Sequence, residues 1–289
     1  MRKSAALRPC AMLPAGLVLA VLVSAAAIAA PVKLDGPTVQ GGLVIGYAEP
    51  GSRVTQDGKE IQVAPDGRFL LGFAYDAPPA SEIDIEQPDG ESVTIPITVA
   101  SRQFATEKID HLPPEQVTPD AEAMKRIAAE REEVTAVQTK PTATPLFVRP
   151  FVWPATGVIS GTYGSARILN GEPRAPHMGV DVAAPEGTPI VAPTDSRVVF
   201  AADLFFTGNT VILDHGLGLT SLYAHLARVD VKVGDRLRQG DIIGTMGATG
   251  RATAPNLHWG VHLNGVGLDP ALLAGPMPEK PPPGASSKN

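Results

Sequence analysis

Three side chains that can bind a metal ion lie in two short segments that are far apart in the sequence. His177 and Asp181 occupy the first segment, and His258 lies in the second, Pro255–His262. The second segment alternates apolar and polar residues, which predicts a strand with one polar face. Two imidazoles and one carboxylate, with water as the fourth ligand, are the ligand set of a catalytic zinc ion. These residue types therefore indicate one Zn²⁺ site, which forms if the fold brings the two segments together.

The chain must bend between His177 and Asp181 if both are to reach one ion. In a straight strand the two residues would lie roughly 13 Å apart, at about 3.3 Å per residue. The nearby prolines and glycines argue against a helix. Gly179 permits the bend, which puts His177 on a loop and Asp181 at the head of a strand over residues 180–183. Taken alone, the pair is also consistent with an ordinary His–Asp hydrogen bond at a turn.

The other histidines of the C-terminal half receive different interpretations. His262 shares the strand face of His258 but lies roughly 13 Å further along, so we interpret it as structural. His215 is placed in a hairpin turn and is also interpreted as structural. His225 ends a predicted strand two residues after Tyr223, and we expect the two to share one face. Tyr223 is then either a packing residue or a substrate contact.

The bulk composition narrows the class of protein. The chain has 289 residues, which is typical of two domains, and 29 Gly and 29 Pro residues, which favour a turn-rich β protein. The net charge of −6 argues against nucleic-acid binding. Cys10 is the only cysteine and lies in the N-terminal segment that is expected to be cleaved, so a metal site in the exported part must use His and carboxylate ligands.

The N-terminus has the pattern of an export signal. Basic residues precede an apolar run over residues 11–30, and Ala27–Ala29 fits a small-x-small cleavage site. We therefore expect a signal peptide over residues 1–30 that is cleaved near Ala29, and a periplasmic location. The alternative is an uncleaved anchor, because nearly 20 apolar residues are enough to span a bilayer.

The remaining chain is predicted to be all-β on both sides of a linker. Three Asp-Gly pairs between apolar runs predict hairpins, and residues 31–100 are interpreted as a small β-sandwich without a catalytic constellation. Its expected role is that of a spacer, a docking module or a lid. Residues 101–150 are expected to form a linker with one solvated helix, capped by Thr118. Residues 151–275 form the second all-β domain, and residues 276–289 are predicted to be a disordered tail.

Several motifs in the second domain resemble those of the lysostaphin-type (LytM-like) zinc metallopeptidases of bacterial cell walls. The resemblance covers about Val152 to Leu273. It implies an antiparallel β-sheet groove with zinc on its floor, and cleavage of peptide bonds in peptidoglycan. The segments that carry it are Pro176–Val182, Pro185–Pro189, Leu222–Leu226, Val233–Asp235 and Thr249–His258.

By position, the resemblance implies that His177, Asp181 and His258 are the zinc ligands and that His225 is a catalytic histidine. The chain departs from the family pattern at Asn256, where a second catalytic histidine is expected. An amide can donate a hydrogen bond to an oxyanion, an interaction that contributes about 10²–10³-fold. It cannot perform general acid–base catalysis, which contributes about 10²–10⁴-fold. The catalytic pair is therefore expected to be His225 and Asn256.

The resemblance predicts a zinc endopeptidase that hydrolyses peptide cross-links of peptidoglycan. Its expected partners are stem peptides, and Arg174, if it is more than a solvated loop charge, is expected to contact their carboxylates. In a Gram-negative periplasm the expected bond is the D-alanyl–diaminopimelate cross-link. A membrane contact is expected only if the N-terminal segment stays uncleaved, and a cell-wall amidase or divisome component is a further candidate partner.

Two alternatives belong to other classes. Asn256 also suits a catalytically attenuated protein on the same fold that binds peptidoglycan or activates an amidase. Residues 229–247 resemble half of a lipoyl-type carrier barrel, but they contain no Met-Lys acceptor pair.

Overall fold

The structure is a computed structural model that describes residues 32–110, 119–140, 142–148 and 150–279. The predicted signal peptide, its cleavage site near Ala29, the Thr118 cap and the tail beyond residue 279 lie outside the described residues. None of the helices in the described ranges combines the length and the apolar character needed to cross a membrane.

The N-terminal β region is a sandwich of two small antiparallel sheets. One sheet has the order β1-β2-β5 and the other has the order β4-β3-β6-β7. Apolar side chains from both sheets share one core. The predicted hairpin at Asp57-Gly58 joins β3 to β4, and both of its residues have positive φ, as such two-residue turns require. The strands are β1 (Lys33–Asp35), β2 (Leu43–Tyr47), β3 (Arg53–Gln56), β4 (Lys59–Ile61), β5 (Arg68–Gly72), β6 (Ala80–Glu86) and β7 (Ser92–Thr98).

The β1-β2-β5 sheet is buried on both of its faces. Val44 and Leu71 point into the sandwich core, whereas their neighbours Leu43, Ile45 and Leu70 join the core of the C-terminal region. Period-two alternation puts these two sets on opposite faces. The sandwich therefore packs directly against the second β region.

The linker contains one strand more than the sequence indicates. Strand β8 (Thr106–Ile109) pairs with a strand of the C-terminal region, although residues 101–150 were expected to form only one helix. That helix, α1 (Ala121–Gln138), has Asp120 and not the predicted Thr118 as its N-cap, because the Asp120 side chain accepts a hydrogen bond from the Ala123 N–H. It is not fully solvated, because Val134 and Val137 pack against an apolar cluster of the large sheet. The narrow apolar stripe of α1 is therefore enough for the helix to pack against the large sheet.

The C-terminal region is dominated by one large sheet with the main strand order β17-β14-β15-β16-β19-β12-β9. A second, three-stranded sheet has the order β11-β10-β8, in which β8 and β10 run parallel. A short helix, α2 (Pro270–Ala274), follows the last strand. The all-β fold class is confirmed. The strands are β9 (Val158–Gly161), β10 (Ala166–Leu169), β11 (Glu172–Arg174), β12 (Val180–Ala183), β13 (Pro189–Val191), β14 (Ser196–Leu204), β15 (Gly208–Gly216), β16 (Leu219–Val229), β17 (Arg236–Leu237), β18 (Ile242–Met246), β19 (Asn256–Leu263) and β20 (Val266–Leu268).

Candidate metal centre

Strand pairing brings two of the three candidate ligands together. In the antiparallel ladder between β12 and β19, Asp181 lies directly opposite His258, and side chains at opposed positions share one face of a sheet. His177 lies on the loop that precedes β12, as expected. Its backbone N–H donates to the Ser165 carbonyl at 2.9 Å, which fixes the loop against the neighbouring turn.

The three side chains converge on one point. Asp181 Oδ1 lies 3.0 Å from His177 Nε2 and 2.8 Å from His258 Nδ1. The two imidazole nitrogens are 2.9 Å apart. His177 is 1% exposed, whereas Asp181 and His258 are 19% and 17% exposed, so the group is open on one side. Two nitrogens and one oxygen in this arrangement suit a metal with an open coordination position.

Two glycines make room for the ligand group. A Cβ at Gly161 would lie 2.6 Å from Asp181 Oδ2, and a Cβ at Gly179 would lie 2.6 Å from His258 Cε1. Both distances are shorter than real side chains tolerate. Gly179 was expected to permit a bend, but its φ is not among the positive values. Its role is steric, because it lets the loop backbone approach the imidazole.

The charge state of the group also suits a cation. Burial alone would raise the pKa of Asp181, but the hydrogen bonds from His177 and His258 outweigh burial and hold that pKa well below its usual range. Burial lowers the pKa of His177. An ionised carboxylate beside a neutral imidazole is the protonation state that metal ligands require. The ligand atoms and their protonation states therefore suit a zinc ion, and the two glycines leave the space that the ligand group needs.

Arg167 holds the carboxylate from its outer side. Its Nη2 donates to Asp181 Oδ2 at 3.1 Å, and its Nε donates to Glu107 Oε2 at 3.4 Å. The guanidinium thus occupies one oxygen of Asp181 and leaves Oδ1 toward the two histidines. Neither Arg167 nor Glu107 was anticipated from the sequence, because the parallel pairing of β8 with β10 leaves no local signal.

His225 reaches the site through an unusual backbone conformation. Tyr223 pairs with the buried Trp259, and Ala224 pairs with His258, so strict alternation would turn residue 225 toward the core. His225 instead has a φ of 64°, a left-handed conformation that breaks the alternation. Its ring lines a pocket of about 190 Å³ beside the ligands, and its centroid is 6.5 Å from that of His258. Such strain in a non-glycine residue is common at functional sites.

The hydrogen bonds of His225 define its tautomer. Nδ1 lies 2.8 Å from the Thr249 carbonyl, which can only accept, so Nδ1 carries the hydrogen and Nε2 keeps its lone pair. Burial lowers the pKa of His225 to about 4. The side chain is therefore a neutral imidazole with an unprotonated nitrogen.

Asn256 lies on the rim of the same pocket. Its Nδ2 donates to the Ala254 carbonyl at 2.8 Å, which uses one of its two amide hydrogens and leaves the other available. The pocket is also lined by Phe206 and Arg251, and the Arg251 guanidinium lies 4.3 Å from the centroid of the Phe206 ring. Neither of these two residues was anticipated from the sequence.

The expectation that Tyr223 shares a face with His225 was wrong. Tyr223 is fully buried in the core, and its hydroxyl lies 2.7 Å from Ser221 Oγ. The physical reason is the left-handed backbone of His225, which turns the His225 side chain to the open face and leaves Tyr223 in the core. Tyr223 is therefore a packing residue and cannot contact a substrate.

His215 lies inside strand β15 and not in a turn, which corrects its predicted position. It is buried, with Nδ1 at 3.2 Å from the Asp195 carbonyl and Nε2 at 2.7 Å from Ser221 Oγ. His262, on the face of His258, has its Nδ1 at 3.1 Å from Gln138 Nε2 of α1. Both are hydrogen-bonded, as expected of structural histidines. Arg174 is exposed on β11, directly opposite Arg167.

Comparison with known proteins relates the site to a family. Residues 175–270 match Peptidase family M23. The chain is 41% identical to DD-carboxypeptidase/endopeptidase Mpg of Neisseria meningitidis serogroup B over 103 residues, 36% of this chain and 24% of that protein. It is 38% identical to peptidoglycan DD-endopeptidase ShyC of Vibrio cholerae over 121 residues, 41% of this chain and 28% of that protein. The chain thus spans about a quarter of the length of these relatives.

A solved structure matches over a longer stretch. The crystal structure of a Pseudomonas aeruginosa protein assigned to peptidase M23 has a TM-score of 0.59 and 29% identity, and the match covers 82% of this chain and 95% of that one. Because residues 175–270 are only a third of the chain, the similarity extends into the N-terminal half. The comparisons agree with the resemblance seen in the sequence.

Proposed function

We propose that this chain, whose residues 175–270 form a domain of peptidase family M23, is a zinc-dependent endopeptidase that hydrolyses peptide cross-links of bacterial peptidoglycan. The observation that carries the proposal is the convergence of His177 Nε2, Asp181 Oδ1 and His258 Nδ1 within 3.0 Å of one another, beside a pocket that His225 lines. A histidine, an aspartate and a second histidine in this arrangement are the ligands that we assign to zinc.

The residues around the proposed zinc position have different roles in hydrolysis. His177, Asp181 and His258 would hold the zinc ion, which when bound would supply Lewis-acid polarisation of a carbonyl oxygen and a water of lowered pKa. His225 accepts or returns a proton through Nε2, because the Thr249 carbonyl holds the hydrogen on Nδ1. Asn256 donates its remaining amide hydrogen to the developing oxyanion. His225 is then the one proton carrier of this pair.

The charge around the pocket suits a substrate with carboxylates. Arg167 and Arg251 line the pocket, and Arg174 lies directly opposite Arg167 across the β10–β11 ladder. Burial, together with the charges of Arg167 and Arg174, lowers the pKa of Arg251, so the three cations influence one another. Stem peptides carry free carboxylates, and we assign Arg174 and Arg251 to their recognition. The predicted export signal and a peptidoglycan substrate together support a periplasmic location.

The alternative of a catalytically attenuated binding protein is not favoured. Such a protein has no need for three converging ligands, a guanidinium on the free carboxylate oxygen, or a strained histidine in the pocket. Asn256 alone argues for attenuation, and its second amide hydrogen is compatible with a catalytic role.

The proposal is tested by digesting purified sacculi with the full chain and analysing the released muropeptides. We expect soluble fragments whose cross-link has been cut, no release after treatment with a chelator, and recovery when zinc is added back. His258→Ala should abolish release, because it removes one ligand.

His262→Asn is the matched control, because it lies on the same strand face four residues away. Its release should equal that of the wild-type chain. Cleavage that persists in both the chelated sample and His258→Ala would refute the zinc mechanism, whereas binding of sacculi without any cleavage would favour the attenuated alternative.

A further inference from the structure

One nitrogen of the proposed zinc site lacks a partner. His177 directs Nε2 toward Asp181 and His258, but its buried Nδ1 has no hydrogen-bond partner among the residues that the structure describes. Histidines that bind metals almost always donate their other ring N–H to a carboxylate, a carbonyl or water, which orients the ring and raises its basicity. The site therefore calls for an acceptor beside His177 Nδ1.

Glu107 supplies a carboxylate at this position. Its Oε1 lies 4.0 Å from His177 Nδ1, which is too long for a hydrogen bond. A shift of about 1 Å toward the ring would close the distance to an ordinary N–H···O bond. The carboxylate is already held near the ring, because Oε1 accepts from the Thr162 N–H at 3.2 Å and Oε2 accepts from Arg167 Nε at 3.4 Å.

The linker strand delivers Glu107 to the site. In the parallel ladder between β8 and β10, Glu107 pairs with Arg167, and the Ala166 N–H donates to the Ala105 carbonyl at 2.9 Å beside it. Glu107 lies 68 residues before the first residue of the family match, 175 minus 107. The carboxylate thus comes from the segment that connects the sandwich to the peptidase domain.

The same carboxylate is linked to a second ligand. Arg167 bridges Glu107 Oε2 and Asp181 Oδ2. Glu107 therefore lies beside His177 and is also connected to Asp181 through Arg167. A planar guanidinium that contacts two carboxylates fixes both of their orientations.

We infer that Glu107 is a positioning residue of the metal centre, which accepts the Nδ1–H of His177 and aligns Asp181 through Arg167. The inference rests on the proposed zinc site but not on the peptidase reaction. It follows that the linker strand β8 belongs to the metal site, and that residues 175–270 alone do not hold all of its parts.

The inference is tested by zinc affinity, measured in the full chain by competition with a chromogenic chelator and without any substrate. Glu107→Leu should weaken zinc binding by about 10–100-fold, the usual effect of losing an outer-shell partner. Glu107→Gln should lose less, because its amide oxygen still accepts the Nδ1–H. Glu172→Leu is the control, because Glu172 is exposed on β11 of the same small sheet. It should bind zinc like the wild-type chain.

A second readout separates positioning from general destabilisation. In the zinc-loaded chain, the imidazole ¹⁵N spectrum should show His177 with a slowly exchanging Nδ1–H, and Glu107→Leu should lose this signal while its circular dichroism stays unchanged. Affinity within twofold of the wild type in Glu107→Leu, an equal loss in Glu172→Leu, or an unchanged His177 signal would each overturn the inference. Because substrate is absent, these results stand even if the chain cleaves no peptidoglycan.

Discussion

The two faces of the large sheet around β15, β16 and β19 carry similar residues in different surroundings. On the open face, His258 joins Asp181 and His177 beside a pocket. On the buried face, His215 joins Ser221 and Tyr223 in a chain of hydrogen bonds that no solvent reaches. Each face thus has a histidine that lies within hydrogen-bond distance of a polar side chain on a neighbouring strand.

The comparison teaches that access decides which histidine can do chemistry. The buried group resembles a catalytic arrangement, since a serine hydroxyl lies 2.7 Å from an imidazole nitrogen, yet a substrate cannot enter the core. The site with His177 and His258 gains its third histidine only because His225 adopts a left-handed backbone. Residue type and spacing are therefore not enough, and the side of the sheet must be known.

The largest expected effect comes from exchanging one carboxylate in the proposed metal centre and, for comparison, one buried carboxylate outside it. Asp181→Asn should weaken zinc binding by more than the roughly 10–100-fold that follows the loss of an outer-shell partner. Asp214 is a buried carboxylate that accepts from Thr142 Oγ1 at 2.7 Å and from the Gly216 N–H at 2.9 Å. Asp214→Asn should lower the melting temperature but leave the zinc affinity unchanged. Equal zinc affinities in the two variants would contradict the assignment of the open face.

The next effect separates the two kinds of histidine in catalysis. His225→Asn should lower the hydrolysis rate by about 10²–10⁴-fold, because it removes the proton carrier. Asparagine tolerates a left-handed backbone, so the local fold should persist, and zinc affinity should remain near the wild-type value. The paired variant His215→Asn should lose stability and keep its rate per folded molecule. Rate loss of similar size in both variants would mean that the open face is not special.

The sequence was sufficient for the parts of the site that local patterns encode. Alternation predicted β19, and the Gly and Pro residues around His177 predicted a loop followed by the strand over residues 180–183. The family resemblance, and with it the grouping of His177, Asp181 and His258, followed from motifs that lie within short segments. The all-β class is confirmed, and residues 175–270 match Peptidase family M23 in agreement with the resemblance.

Long-range pairing explains what the sequence could not predict. Glu107 and Arg167 meet because β8 and β10 pair in parallel, although 59 residues, 108 to 166, lie between them in the sequence. Nothing near either residue indicates that pairing. Tyr223 was misplaced because one left-handed residue reverses the faces of a strand. Such a backbone exception in a histidine depends on tertiary contacts, here the Thr207 and Thr249 carbonyls.

The buried His215 should make the stability of the folded chain depend on pH. Burial lowers the pKa of His215 to about 4, with only partial offset from the Asp195 carbonyl and the charge of Asp214. Because the unfolded chain binds this proton near pH 6.5 and the folded chain does not, stability is fully present above about pH 6.5 and falls as the pH drops toward 4. The loss should be on the order of 3 kcal/mol, at about 1.4 kcal/mol per pH unit.

Urea unfolding at several pH values between 4.5 and 7 measures that slope. His215→Asn should be less stable at pH 7 but should have a slope that is smaller by about one proton. If the slope of the variant equals that of the wild-type chain, His215 is not the group that titrates.

The smallest expected effect concerns Tyr223, the residue whose face was predicted wrongly. Tyr223→Phe removes one hydroxyl from the buried chain with Ser221, which should cost about 0.5–1.5 kcal/mol of stability. The ring volume is almost unchanged, so packing against Trp259 is preserved. Because the side chain is fully buried, KM and kcat should both stay within about twofold of the wild-type values. A several-fold rise in KM without a change in stability would show that Tyr223 contacts the substrate, and the division between an open and a buried face would then fail at this strand.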